Sequence, residues 1–377
     1  MTPTAADDFH PAWWLRSPHV QSILASSALR RALRARRARA LERDAERVIL
    51  DCGEGVRLAG YHTAQRVRAR ARGLAVLFHG WEGSSRSTYL LQTGARMLEE
   101  GWDVFRLNFR DHGGTHALNR GLFHSCLIDE VVGAMRDVQQ RYPERPLALI
   151  GFSLGGNFAL RVALRAPQAG LALAQTVAVC PVIDPHAGLF QLEHAPRMYH
   201  DYFMWKWTRS LKAKQRAFAD AKLFASLDLR GTLRTLTEAL VLRHTDFGSL
   251  DNYLDGYSVA GDRLARLRVR ASILAAADDP VCPASDLAGM TLPACVDVTV
   301  TRYGGHCGFI RDWHLDSWAE DYIVERLERS IPVEAAVVES QAMDGRSGAG
   351  DAKKRALADS FVEAAIRDDP IDAGDRS

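Results

Sequence analysis

Residues 151–156 read Gly-Phe-Ser-Leu-Gly-Gly and match the pattern G-x-S-x-G, which places a serine in a tight turn between a strand and a helix. An apolar run at 147–150 precedes the pattern, and a segment with helical spacing follows it. Side chains two residues before or after the serine would collide with the crossing backbone, which explains Gly151 and Gly155. The pattern therefore predicts that Ser153 is a nucleophile exposed at this turn.

A serine hydroxyl attacks a carbonyl carbon efficiently only when a base removes its proton and an acid orients that base. Two later loops supply such groups, each directly beyond an apolar run. One contains Asp278 and Asp279, and the other is glycine-rich and contains His306. The order serine, acid, histidine predicts His306 as the base and one of the two aspartates as the acid. We favour Asp279, because Pro283 follows it with the D-x-x-x-P spacing common in this loop of related hydrolases.

The oxygen of an attacked carbonyl becomes negatively charged and needs two hydrogen-bond donors. The backbone N–H of Leu154, at the start of the predicted helix, is one candidate donor. The loop at 77–83 reads Leu-Phe-His-Gly-Trp-Glu-Gly and supplies the other, the backbone N–H of Trp81. The alternative for this loop is a glycine turn with a packed tryptophan and no role in chemistry.

The elements that must position these residues follow from the alternation of two kinds of segment. Short apolar runs predict strands buried on both faces, and the segments between them have helical spacing. This order predicts a mostly parallel, doubly wound α/β sheet, preceded by a hairpin of residues 48–52 and 56–63. The predicted strands are 74–79, 104–109, 147–152, 173–180, 272–277 and 296–303, and the predicted helices are 89–100, 129–141 and 155–166.

Residues 181–268 interrupt this alternation, since they are helical in composition and crowded with aromatic and basic side chains. We expect a helical cap over the active-site crevice, although the aromatics can equally form the core of extra helices. The sequence thus divides into an N-terminal extension (1–47), an α/β domain with this cap (48–330) and an Ala-, Ser-, Gly- and Asp-rich tail (331–377) that we expect to be disordered.

The N-terminal extension contains an arginine-rich segment at 29–48, which predicts a basic helix with a solvated polar face and at most weak peripheral contact with a membrane. We expect Trp13, Trp14 and Leu15, ahead of it, to pack on the body of the protein. The net charge of the whole chain is only +2, which gives no support for nucleic-acid binding.

The six cysteines are scattered, without a C-x-x-C pair or a His/Cys cluster at zinc-ligand spacing. They predict unpaired thiols in a reducing compartment, and neither a signal peptide nor a long apolar run is present. We therefore expect a cytoplasmic protein without a metal ion. The oligomeric state is not specified by the sequence.

Several segments, which follow one another along the chain, resemble the motifs of a known protein family. The chain resembles the YheT-type branch of the α/β-hydrolases, also called the AB hydrolase 4 family, over roughly residues 12–330. The resemblance implies the α/β-hydrolase fold, a carboxylesterase or monoacylglycerol-lipase-like activity on a small ester or lipid-like substrate, no cofactor, and Ser153, Asp279 and His306 as the catalytic triad. The matching segments are 13–15 with 19–21, 79–85, 108–110, 151–157, 277–280 and 304–309.

Two other segments leave alternatives open. Residues 111–115 (Asp-His-Gly-Gly-Thr) replace the Gly-Cys-Ser-Gly often found in the family, which concerns substrate specificity rather than the reaction. His124 and Asp129 match the H-x-x-x-x-D spacing of an acyltransferase-like motif, but we favour Asp129 as a helix cap. The same triad would also serve an acyltransferase or a thioesterase, and the non-enzymatic alternative is a binding or scaffold protein.

Overall fold

The computed structural model describes residues 4–5, 9–221, 223–224 and 231–331, and within this part of the chain nine strands form one sheet. Its order is β1-β9-β8-β7-β6-β4-β5-β3-β2, and all neighbours pair in parallel except β2 with β3 and β3 with β5. The predicted mostly parallel sheet and N-terminal hairpin are confirmed. The strands are β1 (Thr4–Ala5), β2 (Glu46–Asp51), β3 (Arg57–Thr63), β4 (Leu74–Phe78), β5 (Asp103–Asn108), β6 (Leu147–Phe152), β7 (Leu173–Val179), β8 (Ala271–Ala276) and β9 (Val296–Thr301).

Helices cover both faces of the sheet because alternate residues of a strand point to opposite faces. In β4, Ala75 and Leu77 pack with helices α4 and α11, whereas Val76 and Phe78 pack with α5 and α6. Every residue of β4, β5 and β6 is buried, as expected for strands covered on both sides. These helices are α4 (Thr88–Glu99), α5 (Ile128–Arg141), α6 (Leu154–Ala169) and α11 (Trp318–Ser330).

The predicted insertion lies between β7 and β8, and its described residues contain helices and no strand. Its longest helix, α8, is fixed to a loop of the sheet by a buried ion pair. Lys214 Nζ lies 2.7 Å from an Asp111 carboxylate oxygen and also donates to the backbone oxygen of Gly121. The four helices are α7 (Pro185–His194), α8 (Arg197–Ala217), α9 (Leu233–His244) and α10 (Leu250–Tyr257).

The arginine-rich segment forms two short helices, α2 (Ala28–Leu33) and α3 (Ala35–Arg43), preceded by α1 (Pro18–Ser26). The expectation of a solvated basic face is wrong for part of it. Arg30 is only 1% exposed and its guanidinium lies 2.7 Å from the carboxylate of Glu320 on α11. Arg37 reaches Glu320 and Glu99 as well. Buried guanidinium groups need such partners, and the acidic residues lie on helices distant in sequence.

The tryptophans before α1 also differ from the expectation. Trp13 is 80% and Trp14 40% exposed, so neither is a core residue. Leu15 is fully buried and packs against Ile310 and Leu315, as expected. The 3-10 turn that contains all three residues directs successive side chains to different sides, and only the leucine faces the body of the protein.

The predicted tail lies outside the described residues, apart from Ile331. The domain boundaries given above remain predictions. Among the helices of the described chain, none is both long enough and apolar enough to cross a lipid bilayer.

Candidate active site

Ser153 lies in the turn between β6 and α6, with backbone angles φ 55° and ψ −121°. A side chain rarely adopts these angles, so the turn is strained. The turn also brings backbones very close together. A Cβ atom on Gly151 would lie 2.2 Å from the Gly155 oxygen, and one on Gly155 would lie 2.5 Å from the His79 oxygen. Glycine is therefore required at both positions, as the sequence predicted.

The three side chains of the predicted triad lie in one hydrogen-bonded line. The Ser153 hydroxyl is 2.9 Å from Nε2 of His306. The Nδ1–H of His306 donates to Asp279, at 2.9 Å from Oδ2 and 3.1 Å from Oδ1. The serine follows β6, the aspartate β8 and the histidine β9, so the carboxyl ends of parallel strands bring the three together. This arrangement can move a proton from the hydroxyl to the imidazole.

The two candidate aspartates have different partners. The side chain of Asp279 is 1% exposed, and its Oδ1 accepts the backbone N–H groups of Val281 and Cys282 at 2.8 and 3.0 Å. The Asp278 carboxylate accepts the backbone N–H of Gly305 at 2.8 Å. Burial raises the pKa of Asp278 above its ordinary value. Only Asp279 of this pair is hydrogen-bonded to His306.

The electrostatics around His306 favour a strong base. Burial lowers the pKa of the imidazole, but the charge of the Asp279 carboxylate and its hydrogen bond to the ring outweigh this effect. The pKa is therefore held well above the ordinary value of 6.5. A raised pKa strengthens the drive to accept the hydroxyl proton.

Helix α1 holds the loop that carries His306, a contact that sequence reasoning missed. The backbone N–H of His306 donates to Ser22 Oγ at 2.8 Å. The buried amide of Gln21 donates to the backbone oxygens of Leu15 and Ile310 and accepts the N–H of Ile310 at 2.7 Å. The family resemblance offered a signal for this contact, since Gln21 belongs to one of the segments that match the family.

The two residues predicted to supply the oxyanion donors both lie close to Ser153. Leu154 is the first residue of α6, where a backbone N–H has no partner within the helix. Trp81 follows Gly80, and a Cβ atom added to Gly80 would lie 3.1 Å from Cβ of Ser153. Both residues line the same cavity as Ser153. The indole of Trp81 stacks on Phe203 of α8, with ring centroids 5.3 Å apart.

The turn at 111–115, where the chain departs from the family, supports this donor loop. Nε2 of His112 accepts the backbone N–H of Glu82, the residue after Trp81, at 3.1 Å. Its Nδ1 donates to the backbone oxygen of Arg110 at 2.7 Å. Burial lowers the pKa of His112 to about 4, so the ring stays neutral and can accept this bond.

The H-x-x-x-x-D spacing does not form a site. His124 contacts the rings of Phe247 and Tyr253, and burial lowers its pKa to about 4. Asp129 is exposed and pairs with Arg165. The expectation that Asp129 caps α5 is wrong, because the helix begins one residue earlier with Leu127 at the cap position. Its carboxylate still lies in the first turn, where negative charge stabilises a helix.

A cavity of about 1270 Å³ opens onto Ser153 and His306 between the sheet and the insertion. Several of its walls are apolar and come from α7 and α8, so it can receive an apolar group next to Ser153. Its aromatic and large apolar lining includes Trp81, Leu189, Leu192, Met198, Tyr199, Tyr202, Phe203, Trp205 and Trp207.

The doubly wound sheet and the serine turn after β6 define the chain as an α/β-hydrolase, which confirms the predicted fold class. It belongs to the Hydrolase_4 family, described as serine aminopeptidase, S33, whose sequence model matches residues 69–304. It is 26% identical to the putative esterase YheT of Escherichia coli over 292 residues, 75% of this chain and 84% of the relative. The predicted YheT-type resemblance is thereby confirmed.

Solved structures support the fold. An esterase of Pyrococcus furiosus is 15% identical, with a TM-score of 0.50, and the match covers 76% of this chain and 90% of that one. The 2,6-dihydroxy-pseudo-oxynicotine hydrolase is 18% identical, with a TM-score of 0.53 and coverages of 76% and 68%. At these identities the likeness concerns the fold alone.

Proposed function

We propose that this chain hydrolyses carboxylic esters, with Ser153 as the nucleophile, His306 as the base and Asp279 as the acid that orients it. The observation that carries the proposal is the unbroken line of hydrogen bonds from the serine hydroxyl through the imidazole to the carboxylate, with 2.9 Å at each link. The similarity to a putative esterase supports the same reaction.

In the first half of the reaction, the Ser153 oxygen attacks the acyl carbon while Nε2 of His306 takes the hydroxyl proton. The carbonyl oxygen becomes negatively charged and receives hydrogen bonds from the N–H groups of Leu154 and Trp81. The Asp279 carboxylate stabilises the imidazolium that forms. His306 then gives its proton to the leaving alcohol, and the acyl group remains on the serine.

In the second half, a water molecule attacks the acyl-enzyme while His306 takes one of its protons. The same backbone N–H groups stabilise the oxyanion again. The carboxylic acid leaves as the proton returns to the Ser153 oxygen, and the free enzyme is restored. No metal ion or organic cofactor enters this scheme.

We infer an apolar, lipid-like acyl group for the substrate, as in a carboxylesterase or a monoacylglycerol lipase. The support is the volume of the cavity, about 1270 Å³, and its aromatic lining beside Ser153. We also propose a cytoplasmic location, supported by six cysteines that are all unpaired.

The decisive variant is Ser153→Ala, which removes the nucleophile and adds no bulk. We expect turnover of p-nitrophenyl esters to fall by at least about 10⁴-fold, because a triad without its nucleophile retains little catalysis. The matched control is Ser17→Ala, an exposed serine, which should keep wild-type turnover. Circular dichroism and the melting temperature check that both variants fold.

A second measurement identifies the reacting atom and the bond cleaved. A fluorophosphonate probe should label the wild type at Ser153 and leave Ser153→Ala unlabelled. Parallel assays with p-nitrophenyl esters and aminoacyl p-nitroanilides compare ester with amide cleavage, and we expect the esters to react faster. Full turnover by Ser153→Ala, or amide cleavage in preference to ester cleavage, would refute the proposal.

A further inference from the structure

Two thiols and an imidazole meet behind the proposed catalytic centre. Cys180 follows β7, and Cys307 follows His306 in the loop after β9. One ligand atom from each of the three residues lies within 4.8 Å of the other two. The sequence shows no metal-ligand spacing, because 127 residues separate the two cysteines. They meet only in the folded sheet, where the loops after β7 and β9 come together at the carboxyl end of β8, the strand between them.

The backbone fixes the positions of both sulfur atoms. The N–H of Cys307 donates to Sγ of Cys180 at 3.4 Å. Both cysteines have positive φ angles, 44° for Cys180 and 61° for Cys307, which side chains rarely adopt. The contacts from the thiols to backbone oxygens are long, 3.7 Å from Cys180 to Gly305 and 3.8 Å from Cys307 to Val179. Little is therefore lost if the sulfur atoms take another partner.

Thiolate and imidazole groups are the preferred protein ligands of zinc and of other thiophilic divalent cations. Around a tetrahedral zinc ion, neighbouring ligand atoms lie roughly 3.5–3.8 Å apart, as bond lengths near 2.0–2.3 Å require. The present cluster, within 4.8 Å, needs only small movements to reach that spacing. Two thiolates and a neutral imidazole also balance the double positive charge, so the ion can be buried.

The cluster is reachable from solvent. Cys307 and His306 line the same cavity as Ser153, and Cys180 lies buried behind them at 1% exposure. A hydrated cation that enters the cavity therefore meets two of the three ligands directly. Binding releases the two thiol protons to solvent.

We propose that Cys180, His306 and Cys307 form an inhibitory site for a thiophilic divalent cation, with Zn²⁺ as the representative ion. Both ring nitrogens of His306 are already engaged, Nδ1 by Asp279 and Nε2 by Ser153. A metal ion on either nitrogen must break one link of the proton relay. Metal binding and ester hydrolysis therefore exclude each other; this consequence rests on the proposed function, whereas the site itself does not.

The first test measures p-nitrophenyl ester turnover over a range of Zn²⁺ concentrations. We expect Zn²⁺ to inhibit the wild type and EDTA to restore its activity. In Cys180→Ser and Cys307→Ser, each compared with its own metal-free rate, the inhibition constant should rise by more than about tenfold, since a thiolate ligand is lost. The control is Cys295→Ser, whose partly exposed thiol lies outside the cluster and should leave inhibition unchanged.

The second test needs no ester turnover. Titration of the wild type with Cd²⁺ should give a thiolate-to-cadmium charge-transfer absorption in the ultraviolet, which both cluster variants lose. If a variant fails to fold, the wild type alone still tests the site, because bound Zn²⁺ should protect Cys307, which lines the cavity, from iodoacetamide.

Equal inhibition in all the variants, or absence of both the charge-transfer band and the protection, would overturn the site. A band and protection in a protein without esterase activity would instead overturn the proposed function and leave the site standing. The two failures are therefore distinguishable.

Discussion

Asp278 and Asp279 are adjacent carboxylates with separate tasks. Asp279 accepts the Nδ1–H of His306, whereas Asp278 accepts the backbone N–H of Gly305 and so shapes the turn before the histidine. The Asp279 carboxylate is thus bonded to the imidazole ring, whereas the Asp278 carboxylate is bonded to the backbone of the loop. Substitution by asparagine separates these tasks, because asparagine keeps an oxygen acceptor and loses the negative charge.

We expect Asp279→Asn to lower kcat by about 10³–10⁴-fold, because the amide no longer stabilises the imidazolium or its required tautomer. Asp278→Asn is the matched control, since its oxygen can still accept the Gly305 N–H, and it should lose less than about tenfold. Steady-state kinetics with a p-nitrophenyl ester measures both. Equal losses in the two variants would contradict the assignment of the acid.

The pH dependence of kcat/KM reports the protonation of His306 in the free enzyme. Because the neutral ring is the active form and its pKa is raised, activity should fall as the pH decreases through an inflection above 6.5. Asp279→Asn removes a raising contribution while burial still lowers the pKa, so its inflection should move to lower pH. A wild-type inflection at or below 6.5 would contradict this expectation.

The sequence predicted those residues of the candidate site whose signals are local. Ser153 and His306 stand in glycine-rich turns directly beyond apolar strands, and the strand order then fixes where those turns meet. The cluster of Cys180 with Cys307 has no local signal, because neither spacing nor composition marks two cysteines in the loops after β7 and β9. Such contacts follow only from the assembled sheet.

At the scale of elements, the N-terminal helices act as a support for the loop of His306. Gln21 of α1 is fully buried and satisfies both backbone groups of Ile310, while Arg30 of α2 binds Glu320 beyond the loop. The loop contains several residues with positive φ angles, including Gly305 and Cys307, and is therefore a costly conformation to maintain. The support keeps His306 within reach of the serine.

We expect Gln21→Ala to lower the free energy of unfolding by about 2–4 kcal/mol, because it leaves buried backbone groups of Leu15 and Ile310 without partners. Gln140→Ala, at an exposed position of α5, is the control and should change it by less than about 0.5 kcal/mol. Urea denaturation followed by circular dichroism measures both. A loss of stability no larger than that of the control would show that the hydrogen bonds of Gln21 do not stabilise the protein.

The sequence predicted the strands that are marked by continuous apolar runs. It did not predict the burial of charged side chains, which depends on ion pairs with residues distant in the sequence. The strands at 74–78 and 147–152 match the predicted runs closely, since continuous apolar runs have few other solutions in this fold. The arginine-rich sequence of α2 and α3 predicted a polar face exposed to solvent. Their burial depends on Glu320 and Glu99, whose positions become known only when α11 and α4 pack beside them.

At the scale of the whole molecule, the cavity between the sheet and the insertion limits the size and shape of a substrate that can reach Ser153. Phe203 of α8 stacks on Trp81 beside the serine, whereas Phe190 of α7 is 52% exposed and stacks on His194. The composition of the insertion predicted helices and aromatic residues. It did not predict which aromatics face the nucleophile, because that depends on how the helices cross the sheet.

We expect Phe203→Ala to lower kcat/KM for p-nitrophenyl octanoate by about tenfold, as loss of an apolar contact of roughly 1–2 kcal/mol implies. The rate with p-nitrophenyl acetate should change little, since its acyl group does not reach α8. Phe190→Ala serves as the control and should affect neither ester. An equal loss with both esters would place Phe203 outside the acyl path.

The support of the histidine loop by α1 joins residues that are synthesised far apart in time. The bonds from Ser22 to His306, Gln21 to Ile310 and Arg30 to Glu320 span 284, 289 and 290 residues. The serine turn lies in the middle of the chain, but His306 and the helix that supports its loop come from opposite ends of the described chain. The proposed proton relay and its support can therefore assemble only after translation has passed the last strand.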